Sequence, residues 1–441
     1  MIMKIENNFW MYDKYFMPNV KRMYADMPIL IVEAKGAIVK DSKGREYIDL
    51  FSSHGVNFIG HCHPKVVDAI KRQSEKLICY GSDVHTPPAL ILAEKLISIA
   101  PKPLKKCFFA NAGTEAVEEA LYLARKKTGG FEFIALYGAF HGRTYGSRSA
   151  LGWWAYKKGM GPYLPGFIHI PSYYCYRCSL GMEYPGCNIQ CARLLNDALK
   201  FQCSGDVAAF IVEAIQGTAG NIPAPNGYFN IIEKILRQYG LLLILDEVYT
   251  GLGRTGKLWA AELYNIKPDI ITVAKALGGG VPISATLASE EVASAFDVEP
   301  ILYYTTYGSN PLSCSAALAA LEVIIGEKLY ERAAKLGEYF IKRLKELQDK
   351  YEIIGDVRGK GLMIGVELVK DRRSKEPAVK ESILLKYEAL KRGLILPAGQ
   401  GWYKNVIRIL PPAVITIEQI DKSIEVIEQC LKLLKQKTIS T

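Results

Sequence analysis

No stretch of this sequence reaches the roughly 18 uncharged apolar residues that a membrane-spanning helix requires. The apolar run Leu241–Leu245 stops at Asp246. The first residues are aromatic and acidic, where a secretory signal would show a basic start and an apolar stretch. A cytoplasmic location, with no membrane partner, is the expectation. There is no helix-turn-helix or RNA-binding signature, and no basic stripe with interleaved aromatics. The formal charge of +10 is spread along the chain among glutamates. No nucleic-acid partner is therefore expected; a mild positive field suits small carboxylates and phosphate. Internal repeats and low-complexity tracts are also missing.

Of the 441 residues, 49% are hydrophobic, enough for a large core and more than one domain. Short apolar runs at Lys106–Ala110, Phe133–Leu136, Ala208–Val212, Leu242–Leu245 and Ile270–Val273 alternate with helical stretches. That alternation predicts an α/β fold with a mostly parallel sheet covered on both faces. Functional groups should gather beyond the carboxyl ends of its strands. Residues 1–60 read as an irregular arm followed by a hairpin around Asp41–Gly44, and Pro64–Leu77 as an amphipathic helix. Residues 61–311 read as a large domain, with 156–205 as an inserted Cys-containing lobe. Residues 312–441 read as a linking helix (312–350) and a smaller C-terminal α+β domain.

Ten cysteines are present. Cys175, Cys178, Cys187 and Cys191 have the spacing C-x2-C-x8-C-x3-C. Four thiolates can close a tetrahedral zinc site, and free thiols or a disulfide are the alternatives. Cys62, Cys79, Cys107, Cys203, Cys314 and Cys430 are scattered and read as packing residues.

Four motifs carry chemistry. In Asp269-Ile-Ile-Thr-Val-Ala-Lys275-Ala-Leu-Gly-Gly-Gly280 a strand runs into a lysine and a glycine-rich turn. A buried lysine must be paired or lose its charge, and a lysine of lowered pKa forms Schiff bases with carbonyls. In Leu241-Leu-Leu-Ile-Leu245-Asp246-Glu-Val248 an acid ends an apolar strand. It needs a cationic partner, which a protonated pyridine nitrogen would supply. Val248 could pack on one face of such a ring. Asn111-Ala-Gly113-Thr114-Glu115 leads into a helix, whose free amides and Thr114 hydroxyl make an anion cup. Tyr137-Gly-Ala-Phe140-His141-Gly142-Arg143-Thr144 offers an aromatic for stacking. It also offers Arg143, either for a carboxylate or for a structural salt bridge.

Together with Gly251-Leu-Gly-Arg-Thr-Gly256, Gly60-His-Cys-His-Pro64, Thr306-Tyr-Gly-Ser-Asn-Pro311 and Arg408-Ile-Leu-Pro-Pro412, these motifs resemble the class III aminotransferases, the ornithine- and 4-aminobutyrate-type enzymes. The resemblance spans roughly residues 30–430 in the family's order. It implies a fold-type-I enzyme using pyridoxal 5′-phosphate, working as a homodimer or a dimer of dimers with shared active sites. By the same resemblance Lys275 is the Schiff-base lysine, and Asp246 the partner of the pyridine nitrogen. Val248 and Phe140 sandwich the ring, with His141 in the same cofactor-binding set. Gly113 and Thr114 form the phosphate cup, and Thr306 is a phosphate ligand given by the neighbouring subunit. Glu213 is an acid near the phenolic side. Arg408 binds a substrate carboxylate, with Arg143 as a second such arginine. Three positions depart from the family. Tyr249 stands where Gln is frequent, and Thr218 where many members have Glu. His54 stands where an apolar residue usually faces the substrate.

The activity implied is transfer of an amino group from a 4-aminobutyrate-like, ornithine-like or α-amino acid to a keto acid such as 2-oxoglutarate or pyruvate. Lys275 would act as general base and acid. The alternative within the same fold is an amino-acid racemase or epimerase, which needs a second acid/base. A non-catalytic binding protein is the remote alternative, opposed by intact Lys275 and Asp246.

Overall fold

A computed structural model of the chain describes Tyr15, residues 23–297 and residues 304–439. Most of the N-terminal arm expected over residues 1–30 lies outside these. The centre is a seven-stranded sheet. In spatial order its strands are Leu104–Ala110, Ser284–Ser289, Ile270–Val273, Leu242–Asp246, Val207–Glu213, Glu132–Leu136 and Phe167–Ile170. Ser284–Ser289 runs antiparallel to both neighbours, and the other pairings are parallel. The five strands read from apolar runs are all present, with ends shifted by at most two residues. Val207–Glu213 is buried at every position, as a strand covered on both faces must be.

Two strands of this sheet were not anticipated. Phe167–Ile170 is an edge strand inside the segment expected to be an inserted lobe, and the helix Gln190–Phe201 follows it. Only the stretch between them lacks a long element. Ser284–Ser289 (SATLAS) is wholly buried although half its residues are Ser or Thr. Their hydroxyls reach the helix above: Ser284 Oγ donates to the Ala112 carbonyl at 2.9 Å and Thr286 Oγ1 to the Ala116 carbonyl at 2.8 Å. Small polar side chains here let the helix Gly113–Thr128 lie close on the sheet and fix where it begins.

The expected hairpin is formed by Ile38–Asp41 and Glu46–Asp49, joined by Ile31–Lys35 on one side and by Leu394–Ile395, from the far end of the chain, on the other. The amphipathic helix is Pro64–Ser74. The linking stretch at 312–350 is two helices, not one. Pro311–Gly326 and Leu329–Lys350 are separated where Lys328 takes a left-handed backbone (φ 48°). Beyond them Ile354–Lys360, Met363–Leu368 and Val406–Ile409 form an antiparallel sheet. Arg254, 1% exposed, stitches distant segments together. Its guanidinium donates to the carbonyls of Leu362 (3.3 Å), Pro411 and Gly55 (3.2 Å) and lies over the Phe58 ring. Among the described residues no helix is long and apolar enough to cross a membrane.

Candidate active site

The parallel strands bring their acidic ends together. In register, Glu213 sits beside Asp246, and Asp246 beside Thr272. Three residues past Thr272 the chain turns through Lys275, whose backbone is left-handed (φ 41°). Such a conformation is uncommon outside glycine and marks a position held by its surroundings. The Glu213, Asp246 and Lys275 side chains open on one cavity of about 430 Å³.

Asp246 is 4% exposed and well supplied with donors. Its Oδ1 accepts from the Val248 amide (3.0 Å) and the Thr272 hydroxyl (3.2 Å). Its Oδ2 accepts from His141 Nδ1 at 2.7 Å, while the buried His141 Nε2 has no partner. Burial lowers the Lys275 amine to about 8. Asp246 and Glu213 oppose the shift, and Arg408 reinforces it. The ammonium nitrogen lies 4.2 Å from the centroid of the Tyr249 ring. Burial also raises Glu213, to about 7, although its carboxylate accepts the amides of Phe140 (3.1 Å) and Gly217 (2.8 Å).

The helix Gly113–Thr128 brings its N-terminus, Gly113 and Thr114, to the same cavity. Thr114 Oγ1 is the hub of a hydroxyl cluster. It lies 2.7 Å from both Thr144 Oγ1 and Ser147 Oγ, and accepts the Arg143 and Thr144 amides at 3.0 and 3.2 Å. Two glycines make this packing possible. A Cβ on Gly113 would stand 2.7 Å from Val248 Cγ1, and one on Gly142 only 2.3 Å from Thr114 Oγ1. Phe140 and Val248 line the same cavity as the lysine and the helix start.

Of the residues singled out from sequence, Gly113, Thr114, Phe140, His141, Arg143, Glu213, Asp246, Val248, Tyr249 and Lys275 all line this cavity, as does Thr218. Arg143 is exposed, and among the described residues no ion pair holds its guanidinium. Arg408, His54 and Thr306 do not line it. Arg408 is 4% exposed, just behind Tyr249 and Gly217. It donates to the Gly217 carbonyl (3.4 Å) and to Gln400 Oε1 (3.1 Å), while its Nε has no partner. No carboxylate pairs with it among the described residues. His54 lies in a left-handed run, Ser52-Ser53-His54 (φ 47°, 51°, 60°), that puts Ser53 on the cavity wall. Its ring meets Phe51 edge-on at 4.3 Å. Burial first, then nearby Arg408 and Lys275, lower it to about 4. Thr306 is exposed and packs beside Cys79 and Gly81, away from its own chain's cavity. Thr272 and Gln400 were missed. A lone threonine in Ile270-Ile-Thr-Val273 was a readable signal; nothing local marked Gln400.

The four clustered cysteines are free thiols around a second, small cavity. Among the described residues no group of three or more His, Cys, Asp or Glu side chains is arranged as a metal site.

The residues around the Lys275 cavity fit pyridoxal 5′-phosphate. A lysine and an acid stand near each other at strand ends, two side chains can flank a flat ring, and a helix start with a hydroxyl cluster suits phosphate. Comparison with known proteins agrees. The chain matches the family described as Aminotransferase class-III over residues 19–431. It is 41% identical to a leucine/methionine racemase of Thermococcus litoralis, over 95% of this chain and 94% of the relative. It is 40% identical to an acetylornithine aminotransferase of Methanothermobacter thermautotrophicus, over 92% and 95%. Among solved structures, an (S)-enantioselective omega-transaminase of Thermomicrobium roseum superposes with a TM-score of 0.89 at 33% identity, over 97% of this chain and 98% of that one. A Bacillus anthracis aminotransferase gives 0.92 at 30% identity, over 98% and 99%. Another similar structure is an amine transaminase in a PLP-bound form. The chain belongs to the class III aminotransferases, pyridoxal-phosphate-dependent transaminases of fold type I.

Proposed function

We propose that this aminotransferase acts on amino acids, holding the cofactor on Lys275 and the substrate carboxylate on Arg408. The observation that carries this reading is the register of Glu213, Asp246 and Thr272 across adjacent strands, with Lys275 just beyond and Thr114 lining the same cavity. Lys275 would hold the cofactor's aldehyde carbon and Asp246 its ring nitrogen. Gly113 and Thr114 would take the phosphate, and Val248 and Phe140 the ring faces. When bound, the cofactor supplies an electron sink for the pair left behind when the donor loses its α-proton. Lys275 moves that proton. An amine lowered to about 8 is partly neutral near pH 7, so it can accept a proton and give it back. His141, Thr272 and the Val248 amide keep the Asp246 carboxylate aimed. Tyr249 bears on the Lys275 amine through its ring face.

Arg408 supplies an unpaired buried cation for a substrate carboxylate. Thr218 cannot neutralise it as a glutamate would, so donors with a carboxylate beside the reacting carbon are favoured over simple amines. A second copy of the chain is part of this reading. Leu77, Ile78, Tyr80, Val84, Tyr304 and Tyr307 are exposed apolar side chains on the two segments that meet at Thr306, where Cys79 and Gly81 touch its carbonyl. A patch of this kind marks an interface, and covering it with a second copy would bring Thr306 toward that copy's phosphate site.

The similarity to the Thermococcus litoralis racemase favours a second reading, racemisation. One assay separates the two. The purified protein is given an L-amino acid, with and without 2-oxoglutarate or pyruvate. A keto product that depends on the acceptor supports transamination. D-isomer formed without an acceptor would refute it in favour of racemisation. Borohydride reduction and peptide mapping should place the cofactor on Lys275, and a label elsewhere would remove Lys275 from its role.

A further inference from the structure

Tyr249 lies in the turn that follows the strand Leu242–Asp246, and that turn is held on both sides of it. Before it, Asp246 Oδ1 takes the Val248 amide at 3.0 Å. The wholly buried Glu247 carboxylate accepts the Thr250 hydroxyl (2.7 Å) and the amides of Ala260 (3.0 Å) and Ala261 (2.8 Å). The Glu247 carbonyl accepts the Gly251 amide at 2.9 Å. With its neighbours fixed in this way, the Tyr249 side chain has one place to go. It packs against Ile215, Met363 and Leu410. It also lies so close to Gly217 that a Cβ there would stand 2.8 Å from Tyr249 Cδ1.

The ring so placed meets the Lys275 amine, whose nitrogen is 4.2 Å from the ring centroid. That is well inside the roughly 6 Å over which the face of an aromatic ring attracts an ammonium. The hydroxyl takes no part in the contact. Oη is buried and makes no hydrogen bond among the described residues, and burial raises it above its ordinary range, so it keeps its proton. The charged groups around the amine are Asp246 and Glu213, which favour the ammonium, and Arg408, which opposes it. His54 is also near and, lowered to about 4 chiefly by burial, is neutral at pH 7. The Glu213 carboxylate already accepts the Phe140 and Gly217 amides. Asp246 is the residue assigned to the cofactor's ring nitrogen. Among the described residues no carboxylate forms an ion pair with the Lys275 nitrogen itself.

We propose that Tyr249 is a positioning residue whose ring face holds the Lys275 ammonium between taking a proton and giving it back. This role rests on Lys275 being the cofactor lysine and the base. When the donor's Cα–H bond breaks, the proton goes to Lys275 Nζ and its electron pair is left to the cofactor's sink. The ammonium then stands in a buried place, where an unpaired charge is costly. A carboxylate in direct contact would hold the proton too firmly to return it. The ring attracts the charged form more weakly than an ion pair does, and it carries no proton or lone pair that competes for the neutral amine. Lys275 can therefore alternate between the two forms at one fixed spot.

The test titrates Lys275 in the full, cofactor-free chain, through the pH dependence of its acylation read by peptide mass, so activity does not enter. Asp246, Glu213 and Arg408 are present in every variant, and differences belong to the ring. Tyr249→Leu removes the attraction for the charged form and should lower the midpoint by about 0.4–1.5 pH units. Tyr249→Phe keeps the ring and should leave the midpoint in place. Replacing Tyr249 by a trifluorinated phenylalanine keeps the Phe shape but weakens the negative ring face. It should lower the midpoint in the same direction as Tyr249→Leu, and it decides the matter if the leucine variant fails to fold. A midpoint that is unchanged or raised in the leucine and fluorinated variants would overturn the proposal. So would an equal fall in Tyr249→Phe, which would assign the effect to the hydroxyl. Borohydride mapping tests the underlying assignment separately. A label on Lys275 with no change of midpoint removes only the role of Tyr249, whereas a label elsewhere removes Lys275 as the base whatever the titration gives.

Discussion

Replacing Arg408 by alanine separates recognition from chemistry. The guanidinium is 4% exposed, holds only two neutral oxygens at 3.1 and 3.4 Å, and leaves Nε unpartnered. A buried cation so poorly satisfied is costly in the free protein and ready for an anion. A substrate carboxylate gripped by two charge-assisted bonds gains roughly 1.5–3 kcal/mol from each. Losing both should cut kcat/KM by about 10²- to 10⁴-fold, at 1.4 kcal/mol per factor of ten. The assay is the first half-reaction alone, followed by cofactor absorbance after mixing with donor. One donor bears a carboxylate and a matched amine lacks it, so the acceptor's own carboxylate does not enter. The amine should be affected little, and the Tm should hold or rise, because an unpaired buried charge has gone. Equal losses for both donors, or a fall in Tm with loss of cofactor, would show that Arg408 only supports the fold.

Two further outcomes are expected. Thr114→Ala removes the hydroxyl at the hub of the helix-start cluster. Cofactor retention on dialysis should weaken roughly 10- to 100-fold, for one lost hydrogen bond to a charged group; unchanged retention would place the phosphate elsewhere. Lys275 should titrate in the cofactor-free protein through about pH 8, so its acylation, read by peptide mass, rises through that value and not through 10.5. The sign for stability follows. The folded state holds its proton less tightly than the unfolded chain, so the burial penalty is full below about pH 8 and relieved as pH rises toward 10.5. Lys275→Met should therefore raise the Tm of the cofactor-free protein at pH 7, with the gain shrinking at pH 10; a constant gain would refute the charge argument.

Lys275 and Asp246 were legible because each closes a short, largely apolar run, where a charged residue has no packing reason to be. The strands themselves were legible for the same reason. Ser284–Ser289 escaped because its burial serves helix contact through small hydroxyl residues, so its composition mimics a loop. Phe167–Ile170 escaped because four residues with His169 among them, set between Gly166 and a Tyr- and Cys-rich stretch, do not stand out as a strand. What no local pattern could carry is the set of contacts that tune the two charges. His141 reaches Asp246 across 105 residues, and Gly217 and Gln400 meet Arg408 across 191 and 8. The Gly142 needed by Thr114 lies 28 positions on in the chain. Arg408 itself, inside an apolar strand, was marked only by resemblance to relatives. Its burial without a carboxylate partner is visible only once Met363–Leu368 and Val406–Ile409 pair, and the proposed role of Arg408 rests on that burial.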